Sequence, residues 1–531
     1  MRAEGAESDA EFGALGHRHY NCRGQDRGGA VLQGAPINAA DPPQPMIQRA
    51  ELPTPSPLLH RVSAPLRVTL VLCAVAYFAN VVFQTYTYQI EHYGHAQVAL
   101  ALLLLVVLVA SWREVSARSI TLVAFLVYMA WSFGSATVPV SDFLVNYWEK
   151  AAAFSAEPSI RSWSYSLSPP TIAYYAMFIA MLGKSYVATY VASALAWAVS
   201  AGLLVKALTN FGFAPRTASL AGLMYALAPS MVAYSSVVSP EAVFNLFLLA
   251  AAYALSLAYR LRDNSLAFIA MSSGCFAVLY LTRPVGLFFL LGAALFVLYS
   301  IGPRATAEGP RRARLLLALG GPFAFVVLLN AGVGHQSLGE FRLNPHGGGA
   351  ANLLNGTNYA TKGTYSQDDM ELAGFQGPNP VSWKEASANA TRIALARISS
   401  DPVRFIRFSL TDKVTSMWGS DTQGLYWSLQ ASPHLERMQS SGLYQAMARL
   451  TDAFYLLCML SFVAALGLAV VRKAPAMLVM PWLLPLLVMA ALHVFIETQG
   501  RYHVPFMPFI YSAAALMIGR LAARLSRSAA P

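Results

Sequence analysis

The chain has 531 residues, 56% hydrophobic and only 12% charged, with a mean hydropathy of +0.47 and a formal net charge of +11. Soluble domains carry about 25% charged residues, so an ordinary water-soluble fold is excluded. A soluble protein this basic would raise the question of nucleic acid, but here the charge orients the chain in a membrane, and no nucleic-acid partner is expected.

Residues 1–60 are polar and rich in Gly, Pro and charge, without the apolar stretch of a signal peptide. They predict a disordered cytoplasmic tail, and Met46 is a candidate alternative start. Beyond them, apolar runs approach the roughly 20 residues that cross a hydrocarbon core. Twelve spans are predicted: 65–85, 96–112, 118–137, 185–206, 216–236, 241–260, 265–281, 285–301, 314–333, 451–471, 475–493 and 504–523. Each must be helical, because unpaired backbone groups are costly in lipid. The expected fold class is an all-α polytopic membrane protein in three parts after the tail. These are a transmembrane module at 61–333 with a first outer loop at 138–168, a hydrophilic segment at 334–450, and a second module at 451–531. Residues 172–182, after Pro169-Pro170, are apolar but short, and read as re-entrant or interfacial.

Lys and Arg set the direction. One set of loops and ends holds 17 of them, including Arg113, Arg118, Lys206, Arg216, Arg311, Arg312 and Lys473. The short loops of the other set hold five: Lys150, Arg161, Lys184, Arg283 and Arg501. Both termini are therefore expected in the cytoplasm, in a plasma or inner membrane. The few cations of the second set lie on the periplasmic or extracellular side.

The residues able to carry chemistry fall on that outer side. Asp142 follows the third predicted span and opens an amphipathic stretch in which Phe143, Tyr147, Ala151 and Phe154 share one face. It reads either as an outer carboxylate for catalysis or as a simple helix cap. Glu241 begins a span after Ser239-Pro240, where an acid also suits the helix dipole. Arg283, in Leu281-Thr282-Arg283-Pro284, is a cation against the orientation rule and asks for a partner, which a lipid phosphate or a carboxylate can supply without any catalytic role. Arg501 stands the same way in Glu497-Thr498-Gln499-Gly500-Arg501-Tyr502-His503, and its forked donors suit phosphate. Tyr502 beside it reads as a phosphate-site residue or as an interfacial anchor.

The 334–450 segment holds 10 basic and 9 acidic residues. Its first part is loop-like, with Gly347-Gly348-Gly349 and Asn355-Gly356-Thr357-Asn358. Its second part has helical spacing at Ile393, Leu395 and Ile398, then Val403, Phe405, Ile406, Phe408 and Leu410, with Arg404, Arg407 and Lys413 marking polar faces. Such helices suit a membrane interface or a small folded cap. Asp368-Asp369 is the adjacent acid pair, a weak metal candidate that more simply reads as a solvated turn. The four cysteines show neither disulfide nor metal spacing, and no nucleotide-loop or HExxH motif occurs. No cofactor is expected. A divalent metal would need an acid pair at Asp142, where Ser141 stands instead.

In order and sidedness these segments resemble the GT-C class of integral-membrane glycosyltransferases, nearest the branch of protein O-mannosyltransferases and the aminoarabinose transferase of lipid A. The resemblance is carried by Ser141-Asp142, the Pro-Pro segment Ser168 to Tyr175 ending at Leu182-Gly183, Ser239-Pro240-Glu241, Leu281-Thr282-Arg283-Pro284 and Gly500-Arg501-Tyr502. It covers about 118–331 and 450–523. Asn355 to Asn358 with Gly363 is similar to a motif of bacterial members. The resemblance implies a sugar donor on a polyprenyl phosphate and a lipid, glycan or protein acceptor. It also implies an inverting displacement with Asp142 as base, Arg501 and Arg283 on the phosphate, and Glu241 as acceptor-orienting or second acid. Two other readings compete. A flippase for a lipid-linked saccharide predicts charges deep in the bundle and paired halves. An O-antigen ligase or polymerase predicts essential loop arginines.

Overall fold

Helices form wherever an apolar run leaves the backbone no partner but itself. The computed structural model describes residues 57–531 except 165, 262–264, 299–308, 340, 342, 344–347, 379, 472–479 and 529–531. The predicted tail, with Met46, lies outside the described residues up to 56; its expected boundary at 60 falls inside the first helix. The described residues contain no strand and belong to one unit, Pro53–Pro531.

In chain order α1 (Pro57–Tyr93), α2 (Ala96–Ala110) and α3 (Ala117–Ser135) come first. A π-helical stretch, Phe143–Trp148, leads into α4 (Glu149–Ala156), followed by α5 (Ile160–Ser164) and α6 (Pro169–Leu182). Then come α7 (Tyr186–Asn210), α8 (Pro215–Leu227), α9 (Pro229–Tyr234), α10 (Pro240–Arg260), α11 (Ser265–Thr282), α12 (Gly286–Phe296) and α13 (Gly309–Leu338). The hydrophilic segment folds as α14 (Gly349–Gly356), α15 (Gln367–Ala373), α16 (Trp383–Ser400), α17 (Pro402–Leu410), α18 (Asp412–Trp418), α19 (Gln423–Leu429) and α20 (Leu435–Ser440). The chain closes with α21 (Leu443–Val471), α22 (Met480–Phe495), a 3-10 turn Gly500–Phe506 and α23 (Met507–Ser528).

The sequence explains most ends. Ser116 and Ser185 cap α3 and α7 by accepting from Ser119 N and Ala188 N. Proline opens α6, α8, α9, α10 and α17, where its missing N–H costs nothing.

Each of the twelve predicted spans overlaps helix among the described residues. Eight of those helices are long and apolar enough to cross a membrane, which makes this an integral membrane protein. The other four predicted spans are shorter: Ala96–Ala110, Gly286–Phe296, Leu483–Phe495, and the stretch at 216–236. Pro229 divides that last one into α8 and α9, because the residue before a proline is pushed out of the helical region and Ala228 adopts ψ 124. α6 starts at Pro169 and has 14 residues, about 21 Å at 1.5 Å per residue, short of a roughly 30 Å hydrocarbon core.

α7 sits at the centre, against α3, α8 and α10. Its small residues Ala188, Ala192, Ala196 and Gly202 are buried and let neighbouring backbones close in. A Cβ on Gly202 would meet Thr121 Oγ1 of α3 at 2.2 Å.

Two expectations for the hydrophilic segment need correction: Gly349 and Asn355-Gly356 belong to the helix α14 and not to a loop, and one of the cations read as marking a polar face is buried. α16 buries Ala386, Ala390 and Ala394, one per turn, and leaves Leu395 55% exposed. The stretch is helical as its spacing predicts, and the small face is the packed one, with Ile393 partly buried beside it. Lys413 does not mark a polar face: it is buried, and its Nζ donates to Gly356 O, Val494 O and Ile496 O at 2.7, 3.0 and 2.9 Å. On α17, Phe405 and Phe408 turn inward while Val403, Ile406 and Leu410 form an exposed apolar stripe. The last helix of this region, α21, begins at Leu443, eight residues before the predicted boundary, because Tyr444, Met447 and Ala448 already pack on α19 and α20.

Candidate active site

The polar centre of the molecule is made by four segments distant in sequence. After α3 ends at Ala136 in the left-handed region (φ 48), the chain passes Ser141, also left-handed (φ 55). This conformation is uncommon for a non-glycine residue and turns the chain into the π-helical stretch. Asp142 stands at its N-cap position but makes no capping hydrogen bond. Of the two cap candidates, Ser141 and Asp142, the acid therefore does not serve as one. Its Oδ2 instead accepts from Arg501 Nη1 at 3.3 Å. Asp142 keeps 34% of its side chain exposed, whereas Arg501 keeps 13%.

The second pair lies beside the first. Glu241, 1% exposed in the first turn of α10, accepts from Arg283 Nη2 at the end of α11. The helix-dipole reading of Glu241 and its ion pair coexist: Pro240 opens α10 and the acid sits at its positive end. Arg283 therefore has a protein carboxylate as partner.

Tyr147 joins the two pairs. It lies buried one turn after Phe143, and all four charged groups act on its phenol. Burial pushes that phenol up to about 12; the two guanidiniums oppose the rise and the two carboxylates add to it. At neutral pH it is a hydroxyl donor. The face predicted for Phe143, Tyr147 and Ala151 is buried, and Arg501 stacks over Phe143 at 5.4 Å.

Tyr502 is more than an anchor at an interface. Its ring lies 5.5 Å from the Arg283 guanidinium and 5.8 Å from that of Arg501. Its hydroxyl donates to Glu497 Oε1 at 3.3 Å. Glu497 is a residue the sequence did not single out as functional, although it lies four residues before Arg501. It is buried, and its other oxygen accepts from Asn355 Nδ2 at 2.8 Å. Nothing in the sequence pairs Asn355 with Glu497 across 142 residues.

Two polar atoms of the charged group are buried with no protein partner among the described residues: Glu241 Oε2 and Arg501 Nε. A buried acceptor and a buried donor left open at one site are what a polar ligand would satisfy.

Asp368 and Asp369 are elsewhere. Asp369 is held by Arg397 through two bonds, 2.7 and 2.9 Å, and by Asn358 at 2.8 Å. Burial alone would raise the Asp369 pKa, but the Arg397 and Asn358 bonds and the Arg397 charge outweigh it and hold the carboxyl below its usual range. Among the described residues no group of three or more His, Cys, Asp or Glu is set to hold a metal. The sign of this shift gives a test. Stability from the pair is complete above the unfolded pKa of about 4 and is lost as pH falls through the lowered one. Asp369→Asn should flatten the acid limb of a stability–pH curve, read by thermal unfolding between neutral pH and the onset of acid denaturation. An unchanged acid limb would show that the pair contributes nothing.

An apolar cavity of about 160 Å³ lies between α7, α10, α21, α22 and α23. Leu249, Phe462, Phe509 and Leu516 line it, with Phe506 of the 3-10 turn and Arg520 also on its wall. Phe506 is five residues from Arg501 on the same short turn.

Residues 168–327 match the family described as dolichyl-phosphate-mannose-protein mannosyltransferase. The matched stretch contains the Pro-Pro segment, Glu241 and Arg283, and bears out the resemblance to GT-C enzymes. No curated protein matches the chain. Among solved structures, the apo oligosaccharyltransferase of Archaeoglobus fulgidus has a TM-score of 0.45 and 13% identity over 78% of this chain and 51% of its own. The oligosaccharyltransferase AglB of the same organism, in complex with an inhibitory peptide and a dolichol-phosphate, has a TM-score of 0.40 and 14% identity over the same shares. The chain thus spans about half the length of these proteins.

Proposed function

We propose that this protein is a GT-C-class glycosyltransferase that moves a sugar from a polyprenyl-phosphate carrier to an acceptor on the non-cytoplasmic side of a plasma or inner membrane. The family match supports a glycosyltransferase with a lipid-linked donor. The observation that carries the finer reading is the carboxylate of Asp142 against the guanidinium of Arg501, next to a second acid–guanidinium pair.

The chemistry needs these groups. A polyprenyl phosphate is amphipathic. Its chain would lie along the apolar cavity that reaches Phe506, and its phosphate would meet Arg501 and Arg283. The phosphate leaves already ionised, so it requires positive charge and not a general acid. Arg501 Nε, without a protein partner, is a donor free for a phosphate oxygen. Asp142 is the most exposed of the four charged groups, which suits a base that an acceptor must reach. It takes the proton from an acceptor hydroxyl or amine. The acceptor atom attacks the anomeric carbon, the carbon–phosphate oxygen bond breaks with its electron pair staying on phosphate, and the configuration inverts. Positive charge developing at the sugar faces the carboxylates. Glu241, through its free Oε2, orients a hydroxyl of sugar or acceptor. Both termini would be cytoplasmic, as the distribution of Lys and Arg demands. The acceptor is a lipid, glycan or protein.

Donor use tests the phosphate role. Arg501→Ala should reduce transfer by about ten- to a hundred-fold, the range of a lost charge-assisted hydrogen bond. Arg501→Lys should recover only part, since an ammonium keeps the charge and loses the fork. Surface glycans of a deletion strain carrying each variant, measured by mass spectrometry, give the readout. Full recovery by Lys would leave point charge as the whole requirement.

A further inference from the structure

The Asn355–Gly363 motif has no place in the reaction above, yet it folds directly against the chain that carries Arg501. Gly356 meets the backbone of the α22 end so closely that a Cβ there would lie 2.3 Å from Phe495 O. Glu497 N donates to Asn352 O at 2.7 Å and Thr498 N to Gly363 O at 2.8 Å. Lys413, from α18, threads between the two strands of this contact. Its ammonium ties Gly356 O to Val494 O and Ile496 O. Gly363, at φ +77, lies against the lysine's methylenes, 2.9 Å from Cγ for an added Cβ. Each glycine of the motif is thus required by a close approach or a left-handed backbone.

The contacts continue to the arginines. Asn355 Nδ2 fixes Glu497 Oε2, Glu497 Oε1 receives the Tyr502 hydroxyl, and the Tyr502 ring is flanked by the guanidiniums of Arg283 and Arg501. One partly buried ring therefore lies between both cations. We infer that the hydrophilic segment is a clamp on the phosphate site: Asn355, Lys413 and Glu497 are positioning residues that hold Tyr502, and through it Arg283 and Arg501, in register for the phosphate of the donor.

Lys413 suits a clamp because it is sealed from water and bonded only to main-chain oxygens, which no side-chain rearrangement can remove. Burial lowers its pKa to about 7, with the Glu497 carboxylate opposing the fall, and the three carbonyl oxygens accept from its amino group. A residue with only a packing task would be apolar.

This inference rests on the reading of Arg501 and Arg283 as the phosphate site, and the experiment separates the two. Full-length protein in nanodiscs is titrated with undecaprenyl phosphate and, as the uncharged control, undecaprenol, following tryptophan fluorescence and melting temperature. The wild type should prefer the phosphate, and Arg501→Ala should abolish that preference. Asn355→Ala and Lys413→Met should each reduce it by about tenfold, and Lys413→Arg should restore only part. Asn355→Ala combined with Tyr502→Phe should lose no more than the worse single variant, because both cut one chain of contacts. Should Lys413→Met fail to fold, Asn355→Ala and Glu497→Gln carry the test. A lower melting temperature with an intact phosphate preference would reduce the clamp to a structural contact and overturn the inference, leaving the phosphate site standing. Additive losses in the double variant would overturn it as well. Retention of the preference by Arg501→Ala would remove the phosphate reading and the clamp together.

Discussion

Asp142→Asn is expected to lower sugar transfer by about a hundred- to ten-thousand-fold, the contribution of a positioned general base, in a protein that still folds. Asparagine keeps the shape and leaves an oxygen to accept from Arg501 Nη1, but it cannot take a proton. The stability cost is small for a separate reason. Asp142 makes no capping bond, and its ion pair is 34% exposed on the acid side at 3.3 Å, in the range where such pairs contribute about 0–1 kcal/mol. Loss of function without loss of fold is therefore diagnostic here, as it would not be for a buried acid. The comparison is a deletion strain carrying wild type or variant at equal membrane abundance, with surface glycans weighed by mass spectrometry. Near-normal glycans would take Asp142 out of the base role. Loss with substitution of Arg404 or Arg407 instead would favour a loop-arginine enzyme of the ligase or polymerase kind.

Both arginines of the centre can be singled out in the sequence by one rule, since a cation on the outer side, against the orientation bias, asks for a partner; the two acids stand out only as carboxylates at outer span ends. These signals name the residues and not the pairs. Asp142 with Arg501 and Glu241 with Arg283 are choices of tertiary packing, 359 and 42 residues apart. The helices were equally legible, since lipid forces each apolar run into a helix. Their lengths were less so: a single proline cut the predicted span at 216–236.

What stayed hidden has a common cause. Lys413 follows Phe408 and Leu410 at a spacing that reads as the wet side of a helix, because nothing local reveals that three carbonyls from two other segments wait for it. Main-chain acceptors leave no mark in a sequence. Asn355 and Glu497 were visible as letters, but their bond joins the end of α14 to the segment before the 3-10 turn across 142 residues. The packed face of α16 is its alanines 386, 390 and 394, because the stripe that fits a close neighbour is the small one.

The Glu241–Arg283 pair separates stability from chemistry more sharply than any single change. Arg283→Met should destabilise by about 3–5 kcal/mol, because it strands a carboxylate that is 1% exposed. Glu241 Oε2 already lacks a protein partner, so losing Arg283 removes its only direct ion pair and leaves it the more distant charge of Arg501. Glu241→Gln should cost less, since Arg283 keeps 20% exposure and its contact with the Tyr502 ring. The double variant, with neither charge, should regain most of the stability lost in Arg283→Met, because a neutral amide beside a methionine needs no counter-charge. Thermal unfolding of the purified full-length variants gives the stability arm. Transfer gives the other: if Arg283 meets the donor phosphate, the restored double variant stays inactive, and undecaprenyl phosphate no longer raises its melting temperature as it does for wild type. A double variant that regained stability and transfer together would make the pair a strut of the fold, and would leave the phosphate to Arg501 alone.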